Sequence, residues 1–145
     1  MISKAQQAKL VKTAIKVLKN SYSPHSGFKV GSALLGKNGK IYAGTNVEFD
    51  AFSLTVCAER AALFNGISGG EKKFTAIAVA TSSDKFIYPC GLCRQALVEF
   101  NPEMEIILIT KSKKSKSFIL LKEKQLYKNN IKSCELKLNI TYVFN

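Results

Sequence analysis

Apolar and polar positions follow a helical spacing near the start of the chain. Apolar side chains recur three and four positions apart, with lysines on the opposite face, which predicts an amphipathic helix over residues 3–20. Ser3 and Gln6 have the spacing of a capping box, which favours a helix start at this point. The helix is predicted to end before Pro24, because the residue that precedes a proline is driven out of the helical region.

A hairpin is predicted next along the chain. Residues 28–35 and Ile41–Thr45 have the short, apolar, β-branched composition of strands. Asn38-Gly39 lies between them, and both residues tolerate the positive φ that a tight hairpin turn requires. The two strands are therefore predicted to pair directly.

Two later segments are rich in helix formers, and each is followed by a short apolar run typical of a buried strand. The helices are predicted over residues 57–65 and 90–100, and the strands over residues 74–80 and 105–110. Gly66 is predicted to end the first of these helices, and Pro89 precedes the second.

The last part of the chain begins with a lysine-rich run, residues 111–116 (KSKKSK), which is predicted to be a solvated loop. Beyond it, residues 122–130 are predicted to be helical, and residues 135–144 alternate like a half-buried strand. Helices interspersed with apolar strands predict one α/β sandwich, with helices on both faces of a mixed sheet. The length of 145 residues favours a single domain over residues 1–145, with residues 131–145 as a C-terminal extension of undefined role.

Two absences in the sequence bear on location. No apolar run approaches the roughly 20 residues that a membrane span needs, and the first residues lack the apolar segment of a secretory signal. We therefore expect a cytoplasmic protein with no membrane partner.

The charge is large and unevenly distributed. The net charge is +12, yet the first 40 residues hold eight lysines and no acidic residue, whereas residues 41–110 are net acidic. Only Arg60 and Arg94 among the 22 basic residues are arginine. A nucleic-acid reader usually carries several arginines for bidentate contacts, so the lysines favour a solvated surface and we expect no nucleic-acid partner.

The cysteines are the most informative residues. In a cytosolic chain, clustered thiols favour metal binding or catalysis over disulfides. Cys57, Cys90 and Cys93 each lie at or near a predicted helix N-terminus, where the helix dipole favours the thiolate. Three thiolates suit one Zn²⁺ ion and leave its fourth position open to water, which is the arrangement of a catalytic site.

The two arginines lie beside these cysteines. Three thiolates and Zn²⁺ sum to a charge of −1, so a compensating positive charge is expected nearby. Arg60 follows Cys57 by one helical turn, and its side chain leans back toward that sulfur, which predicts charge compensation by Arg60. For Arg94, a role near the zinc and a role in an ordinary ion pair are left open.

Several motifs together resemble one enzyme family. They are Cys57-Ala58-Glu59-Arg60, Pro89-Cys90-Gly91-Leu92-Cys93-Arg94, the runs FKVGSALL at 28–35 and GKIYAG at 39–44, and Asn46-Val47-Glu48. The cysteine and glutamate pattern is the signature of the zinc-dependent deaminases. In order and spacing, residues 22–100 resemble the small, homotetrameric cytidine deaminases.

The resemblance implies a fold, a reaction and an assembly. It implies a three-layer α/β/α sandwich with a central mixed five-stranded sheet. It also implies hydrolytic deamination of cytidine and deoxycytidine to uridine, deoxyuridine and ammonia, in pyrimidine salvage, by a homotetramer.

The resemblance also assigns roles to individual residues. Cys57, Cys90 and Cys93 would hold the zinc, and Glu59 would be the proton shuttle. Asn46 and Glu48 would hydrogen-bond the ribose 3′-hydroxyl, Phe28 would pack near the base, and the Ala58 N–H would hold the pyrimidine O2. A carboxylate at the sugar hydroxyl repels a phosphate there, which favours a free nucleoside as substrate.

The chain departs from the family pattern in two places. Where the family continues Asn-Ala-x-Tyr after Asn-Val-Glu, this chain has Phe49-Asp50-Ala51-Phe52, and Phe52 lacks the tyrosine hydroxyl. The family's Leu-Leu-Pro motif is replaced by Leu120-Leu121-Lys122, with Tyr127 further on. These changes bear on subunit packing and on closure of the pocket.

Three further interpretations of the cysteine and glutamate pattern stay open at this point. Cys134 would complete a closed, structural Cys₄ zinc site in a non-enzymatic module, although it is better explained as a lone thiol in the last strand. A polynucleotide-editing deaminase and a blasticidin-type cytosine-nucleoside deaminase would carry the same zinc ligands. His25, outside this pattern, is interpreted as a surface or capping residue.

Overall fold

The structure is a computed structural model, and it describes residues 1–120. Its helices are α1 (Lys4–Leu18), α2 (Ala58–Ser68) and α3 (Gly91–Phe100), with a 3₁₀ turn at Phe52–Leu54. Its strands are β1 (Val30–Gly36), β2 (Ile41–Thr45), β3 (Phe74–Thr81), β4 (Glu105–Ile109) and β5 (Ser115–Ile119). No helix in this part of the chain is long and apolar enough to cross a membrane.

The five strands form one mixed sheet in the order β2-β1-β3-β4-β5. β3 and β4 are parallel, and the other neighbouring strands are antiparallel. The parallel pair is connected through α3, so that α3 begins beyond the C-terminal end of β3. In open α/β sheets the carboxyl ends of the strands are the usual place for a ligand site.

Helices cover the sheet on both faces. On one face, Leu10 and Ala14 of α1 pack with the alanines of β3, namely Ala76, Ala78 and Ala80. On the other face, Leu63 of α2 and Leu97 of α3 pack with Ile77 and Val79 of the same strand. Because successive strand residues point to opposite faces, both faces of β3 are buried, and the predicted three-layer α/β/α sandwich is confirmed.

The first helix matches its prediction closely. α1 has the predicted capping box, in which the Ser3 hydroxyl accepts from the Gln6 N–H at 3.2 Å and the Gln6 amide accepts from the Ser3 N–H at 3.0 Å. The helix ends at Leu18, two residues earlier than predicted.

The β1–β2 hairpin is confirmed, but its turn differs from the prediction. β1 begins at Val30, and the paired strands are joined through Gly36 and Lys40, with three residues between. Only Gly39 of the Asn38-Gly39 pair has a positive φ, of 81°. A three-residue hairpin loop places one residue, not two, in that region, so Asn38 keeps an ordinary φ.

Gly66 does not end α2, contrary to the prediction. The helix continues to Ser68, and Gly66 is buried against Phe74 and Tyr42. A Cβ on Gly66 would lie 2.7 Å from a ring carbon of Phe74. Glycine is therefore required here by close packing, which is compatible with a helix interior.

The fifth strand of the sheet is not the predicted one. The predicted loop over residues 111–116 gives way at Ser115 to β5, an edge strand whose first three residues are exposed. Its polar residues lack the apolar pattern by which buried strands are recognised. The predicted helix at 122–130 and strand at 135–144 lie outside the described residues, and the single-domain boundary stays a prediction.

Candidate active site

Three cysteine sulfurs converge beyond one end of the sheet. The Sγ atoms of Cys57 and Cys90 are 3.8 Å apart, those of Cys90 and Cys93 are 3.5 Å apart, and all three lie within 4.8 Å of one another. The structure thus brings together the three sulfurs that the sequence singled out. Cys134 lies outside the described residues.

The local fold explains why these side chains meet. Cys57 is the N-cap of α2 and Cys90 is the N-cap of α3, and neither side chain caps its own helix. Cys93 lies in the first turn of α3 and is fully buried. The positive ends of two helix dipoles therefore point at one cluster, which favours thiolates there.

The donor set fits a zinc ion. Tetrahedral ligands at about 2.3 Å from zinc place two sulfurs about 3.8 Å apart, close to the spacing observed. The three sulfurs also shift one another's pKa values in different directions. The neighbouring sulfurs of Cys57 and Cys90, together with burial, raise the pKa of Cys93, whereas the sulfurs of Cys57 and Cys93 lower the pKa of Cys90. A cation is needed to stabilise three thiolates at once.

Arg60 reaches this cluster as its position predicts. Its Nη2 lies 3.9 Å from the Cys57 Sγ and donates to the Thr55 carbonyl at 3.3 Å. Its Nε is buried and has no hydrogen-bond partner among the described residues. The Nε of Arg94 is likewise buried and unpartnered in this part of the chain, and no described contact joins it to a cysteine sulfur.

Glu59 lies in the first turn of α2, two residues after Cys57. It is a buried carboxyl group, only 5% exposed, and this burial raises its pKa. Ala58 precedes it and is fully buried. As the first residue of the helix, Ala58 has a backbone N–H with no partner inside the helix.

Asn46 and Phe28 meet at the open end of β1 and β2. The side-chain oxygen of Asn46 accepts hydrogen bonds from the Ser21 hydroxyl at 2.6 Å and from the Val30 N–H at 2.9 Å. Its amide nitrogen donates to the Phe28 carbonyl at 2.8 Å. Asn46 therefore fixes the segment that carries Phe28, and one of its two amide N–H groups is left over among these contacts.

The backbone at Glu48 lies close to the segment that leads into Cys57. Val47 and Val56 exchange two backbone hydrogen bonds of 3.0 Å, so Glu48 follows a residue that is paired with the neighbour of Cys57. The Glu48 carboxylate accepts from the N–H groups of His25 and Ser26, at 3.0 and 3.1 Å, and from the Ser26 hydroxyl. These hydrogen bonds, with the Ser26 hydroxyl first among them, lower the pKa of Glu48.

The segment before β1 binds the Glu48 carboxylate, which its sequence does not indicate. Ser26 belongs to none of the predicted site residues, and His25 is predicted only as a surface or capping residue. The His25 side chain is half exposed and its Nε2 lies 3.3 Å from the Asp50 Oδ1. No local pattern signals these contacts, because they join residues more than 20 positions apart.

One departure from the family pattern lies in the segment between β2 and Cys57. The other begins at Leu120, whose N–H donates to the Met104 carbonyl just before β4, at the other end of the sheet. Phe49 and Phe52 flank Asp50 on the surface, and Phe52 is 86% exposed. Leu120 is buried, whereas Leu121, Lys122 and Tyr127 are outside the described residues.

A cavity of about 360 Å³ lies at the other end of the sheet. It is bordered by Gln6 of α1 and by Thr75 and Glu105, at the start of β3 and β4. Cys57 follows the carboxyl end of β2, and Cys90 and Cys93 follow the carboxyl end of β3, so the cavity takes no part in the cysteine site.

Comparison with known proteins agrees with this geometry. Residues 4–110 match the family of the cytidine and deoxycytidylate deaminase zinc-binding region. A cytidine deaminase of Sporosarcina psychrophila is 44% identical over 101 residues, which are 69% of this chain and 74% of that protein. One of Halalkalibacterium halodurans is 44% identical over 93 residues, 64% of this chain and 70% of that protein.

A solved structure shows the same fold. The crystal structure of cytidine deaminase from Burkholderia pseudomallei superposes with a TM-score of 0.76 and 34% identity, over 82% of this chain and 94% of that one. With the family match spanning most of the described residues and a three-cysteine cluster able to hold the metal, the chain belongs to the zinc-dependent cytidine and deoxycytidylate deaminase family.

Proposed function

We propose that this enzyme hydrolyses the exocyclic amine of cytidine and deoxycytidine, which gives uridine or deoxyuridine and ammonia. The relatives named above carry the name cytidine deaminase. The single observation that carries the proposal is the buried Glu59 carboxyl two residues after Cys57, in the first turn of the helix that starts at the thiol cluster. This arrangement supports a role for Glu59 as a proton carrier beside a metal site.

Cys57, Cys90 and Cys93 would hold the zinc ion. When bound, the ion would supply an acidified water molecule as the nucleophile. Arg60 would offset the excess negative charge of three thiolates, because its guanidinium already lies beside the Cys57 sulfur.

Glu59 would move the protons of the reaction. Burial raises the pKa of Glu59, which makes its carboxylate a stronger base. It would take one proton from the attacking water and pass it to the ring N3, and would later take the second proton of that water and pass it to the departing amine. Each proton that the carboxylate accepts is passed on, so it ends the cycle ionised and one residue serves both halves of the reaction.

The segments around the cluster would bind the nucleoside. Phe28 would pack near the base, and the Ala58 N–H would donate to the pyrimidine O2. Asn46 would use its remaining N–H, and Glu48 its remaining lone pair, at the ribose 3′-hydroxyl. A phosphate at that hydroxyl would face the Glu48 carboxylate and be repelled, so a free nucleoside is the favoured substrate.

The assembly and setting are part of the same proposal. We infer a homotetramer that acts in the cytoplasm in pyrimidine salvage. Two apolar side chains of the turn before α2 support self-association, because Phe52 is 86% exposed and Leu54 is 59% exposed.

Ammonia release by the zinc-loaded protein tests the reaction. Cytidine and deoxycytidine are expected to react, whereas cytosine, 3′-CMP and a short cytosine-containing oligonucleotide are not. A zinc-loaded protein that is silent on every substrate would exclude the enzyme, and turnover of the oligonucleotide alone would favour a polynucleotide-editing deaminase.

Glu59→Gln tests the proton carrier. The amide keeps the shape of the side chain but cannot exchange the proton, so we expect turnover to fall by at least about 10³-fold with zinc and nucleoside binding retained. Glu99→Gln is the matched control, because Glu99 is an exposed glutamate on α3. A Glu59→Gln enzyme that keeps most of its rate would refute the shuttle role.

A further inference from the structure

Two segments of the chain run side by side next to the thiol cluster. The Tyr22 N–H donates to the Asn46 carbonyl at 3.1 Å, and the Glu48 N–H donates to the Tyr22 carbonyl at 2.9 Å. We call residues 21–28 the front loop and residues 46–56 the sugar loop. The front loop carries Phe28, and the sugar loop carries Asn46 and Glu48, so the two loops together hold most of the proposed nucleoside contacts.

The front loop fixes the direction of the Glu48 carboxylate. A carboxylate has about four lone-pair positions, and three of them are used here by two N–H groups and one hydroxyl of the front loop. One position, on the oxygen that accepts from Ser26 Oγ, is left for a hydroxyl from outside. Its direction depends on how firmly His25 and Ser26 are held.

A second contact, through the His25 side chain, also joins the front loop to the sugar loop. His25 donates its backbone N–H to Glu48, and its side-chain Nε2 lies 3.3 Å from the Oδ1 of Asp50, two residues further along the sugar loop. Because a carboxylate only accepts, this contact is attractive when Nε2 carries a proton. The residue whose backbone orients Glu48 is thus tied by its side chain to the loop that carries Glu48.

We propose that the His25–Asp50 pair is a positioning pair, which holds the front loop against the sugar loop so that Glu48 presents its open lone pair to the sugar hydroxyl. The proposal rests on the proposed function of Glu48. Neither side chain is assigned a contact with the reacting atoms, and the pair acts through Glu48 alone. It should therefore affect substrate binding and leave the chemical step unchanged.

The exposure of the pair sets the size of the expected effect. The side chains of His25 and Asp50 are 50% and 100% exposed, so solvent screens their attraction. Exposed pairs of this kind correspond to about 1.5- to 5-fold in an equilibrium constant. Loss of the pair should accordingly raise KM for cytidine by about 1.5- to 5-fold, with kcat and zinc content unchanged.

The test is a double-mutant cycle on the zinc-loaded enzyme with His25→Ala, Asp50→Asn and the double variant. Every variant keeps the backbone N–H of residue 25, so only the side-chain link is removed. We expect each single change to raise KM and the double change to raise it no further. His25→Arg supplies an N–H donor for Asp50 and should retain the native KM, and Asp84→Asn is a matched change on an exposed loop that should leave KM unaltered.

Amide hydrogen exchange supplies a readout that does not depend on turnover. The N–H groups of His25 and Ser26 should exchange about 1.5- to 5-fold faster in Asp50→Asn, because their acceptor is held less firmly. Unchanged KM and unchanged exchange in the single variants would overturn the positioning role, as would fully additive effects in the double variant. Failure of the native enzyme to release ammonia from cytidine would instead overturn the proposed function, and the exchange rates would still decide whether the pair orders the loop.

Discussion

Arg60 brings a positive charge to a cluster that would carry one net negative charge with zinc bound. Its guanidinium lies 3.9 Å from the Cys57 sulfur while it also donates to the Thr55 carbonyl. Arg60→Ala is expected to weaken zinc binding by about 10-fold, within the range for residues that orient metal ligands. Competition with a chelator measures this affinity.

Two matched variants separate charge from geometry at this position. Arg60→Lys keeps the charge but not the planar donor pair, so it should restore the affinity only in part. Arg94→Ala removes the chain's other arginine, which has no described contact to a sulfur, and should cost less zinc affinity. Equal zinc affinities in native protein and Arg60→Ala would contradict charge compensation.

The Ser26 hydroxyl helps to lower the pKa of Glu48. This hydroxyl is the largest of the contributions that lower the pKa of Glu48, so Ser26→Ala is expected to raise this pKa toward the ordinary glutamate value. NMR titration of the carboxyl carbon measures the change directly. An unchanged titration curve would show that the backbone N–H groups alone hold the carboxylate.

The same lowered pKa links Glu48 to stability. A carboxyl group with a lower pKa in the folded state stabilises the fold above its unfolded-state pKa, and this contribution is lost as the pH falls through the folded-state pKa. The stability difference between native protein and Ser26→Ala should therefore be largest near neutral pH and shrink in acid. Urea unfolding at several pH values tests this, and a difference that grows in acid would be the wrong sign.

At the scale of elements, two glycines let the helices lie directly on the sheet. A Cβ on Gly44 would lie 2.2 Å from the Ala62 nitrogen of α2, and one on Gly31 would lie 2.3 Å from the Ala14 oxygen of α1. Both overlaps are with helix backbone, which cannot turn aside. Each alanine variant should lose about 1 to 3 kcal/mol in free energy of unfolding.

The two variants differ in which helix must move. Gly44→Ala displaces α2, the helix that carries Cys57 as its N-cap and Glu59 in its first turn, whereas Gly31→Ala displaces α1 on the opposite face. We expect Gly44→Ala to lose zinc affinity and turnover, and Gly31→Ala to keep both under conditions where it is folded. Equal losses of zinc affinity in two folded variants would show that the position of α2 is not what sets the metal site.

The elements that can be predicted from sequence are those with strong local patterns. The capping box of α1 and the buried runs of β3 and β4 each depend on residues close together in the chain. β5 is not predicted because an exposed edge strand has no apolar pattern. It forms through backbone pairing with β4, which its composition does not indicate. The predicted end of α2 is wrong because the packing of Gly66 against Phe74 is a tertiary contact.

The candidate site shows the same division. Cys57 and Cys90 are 33 positions apart, but both are metal-ligating residues at helix starts, so their residue type and place already indicate a shared site. The front loop carries no such signal, because Ser26 and His25 gain their roles only through Glu48 and Asp50, more than 20 residues away. Contacts between loop residues depend on the tertiary fold, and no periodic pattern in the sequence indicates them.

At the scale of the whole molecule, the surface carries both a high charge and exposed apolar side chains. A net charge of +12 favours solubility and opposes association, so any stable assembly must bury enough apolar area to outweigh repulsion. Phe52 and Leu54 lie in one 3₁₀ turn that ends three residues before Cys57 in the chain, and they are 86% and 59% exposed. We expect self-association to depend on the surface of this turn.

Sedimentation of the zinc-loaded protein measures this expectation. Four copies of the 16.0 kDa chain would sediment as a particle of about 64 kDa. Replacing Phe52 and Leu54 by serine removes about 3 kcal/mol or more of apolar burial from each copy of the interface, which should shift the equilibrium toward smaller species and raise the apparent salt dependence of association. Ile87→Ser is the control, because Ile87 is 38% exposed and lies outside this turn. If the native protein sediments as a single 16.0 kDa chain with full activity, one copy suffices for catalysis. If the serine variant loses assembly and activity together, a second copy completes the active site.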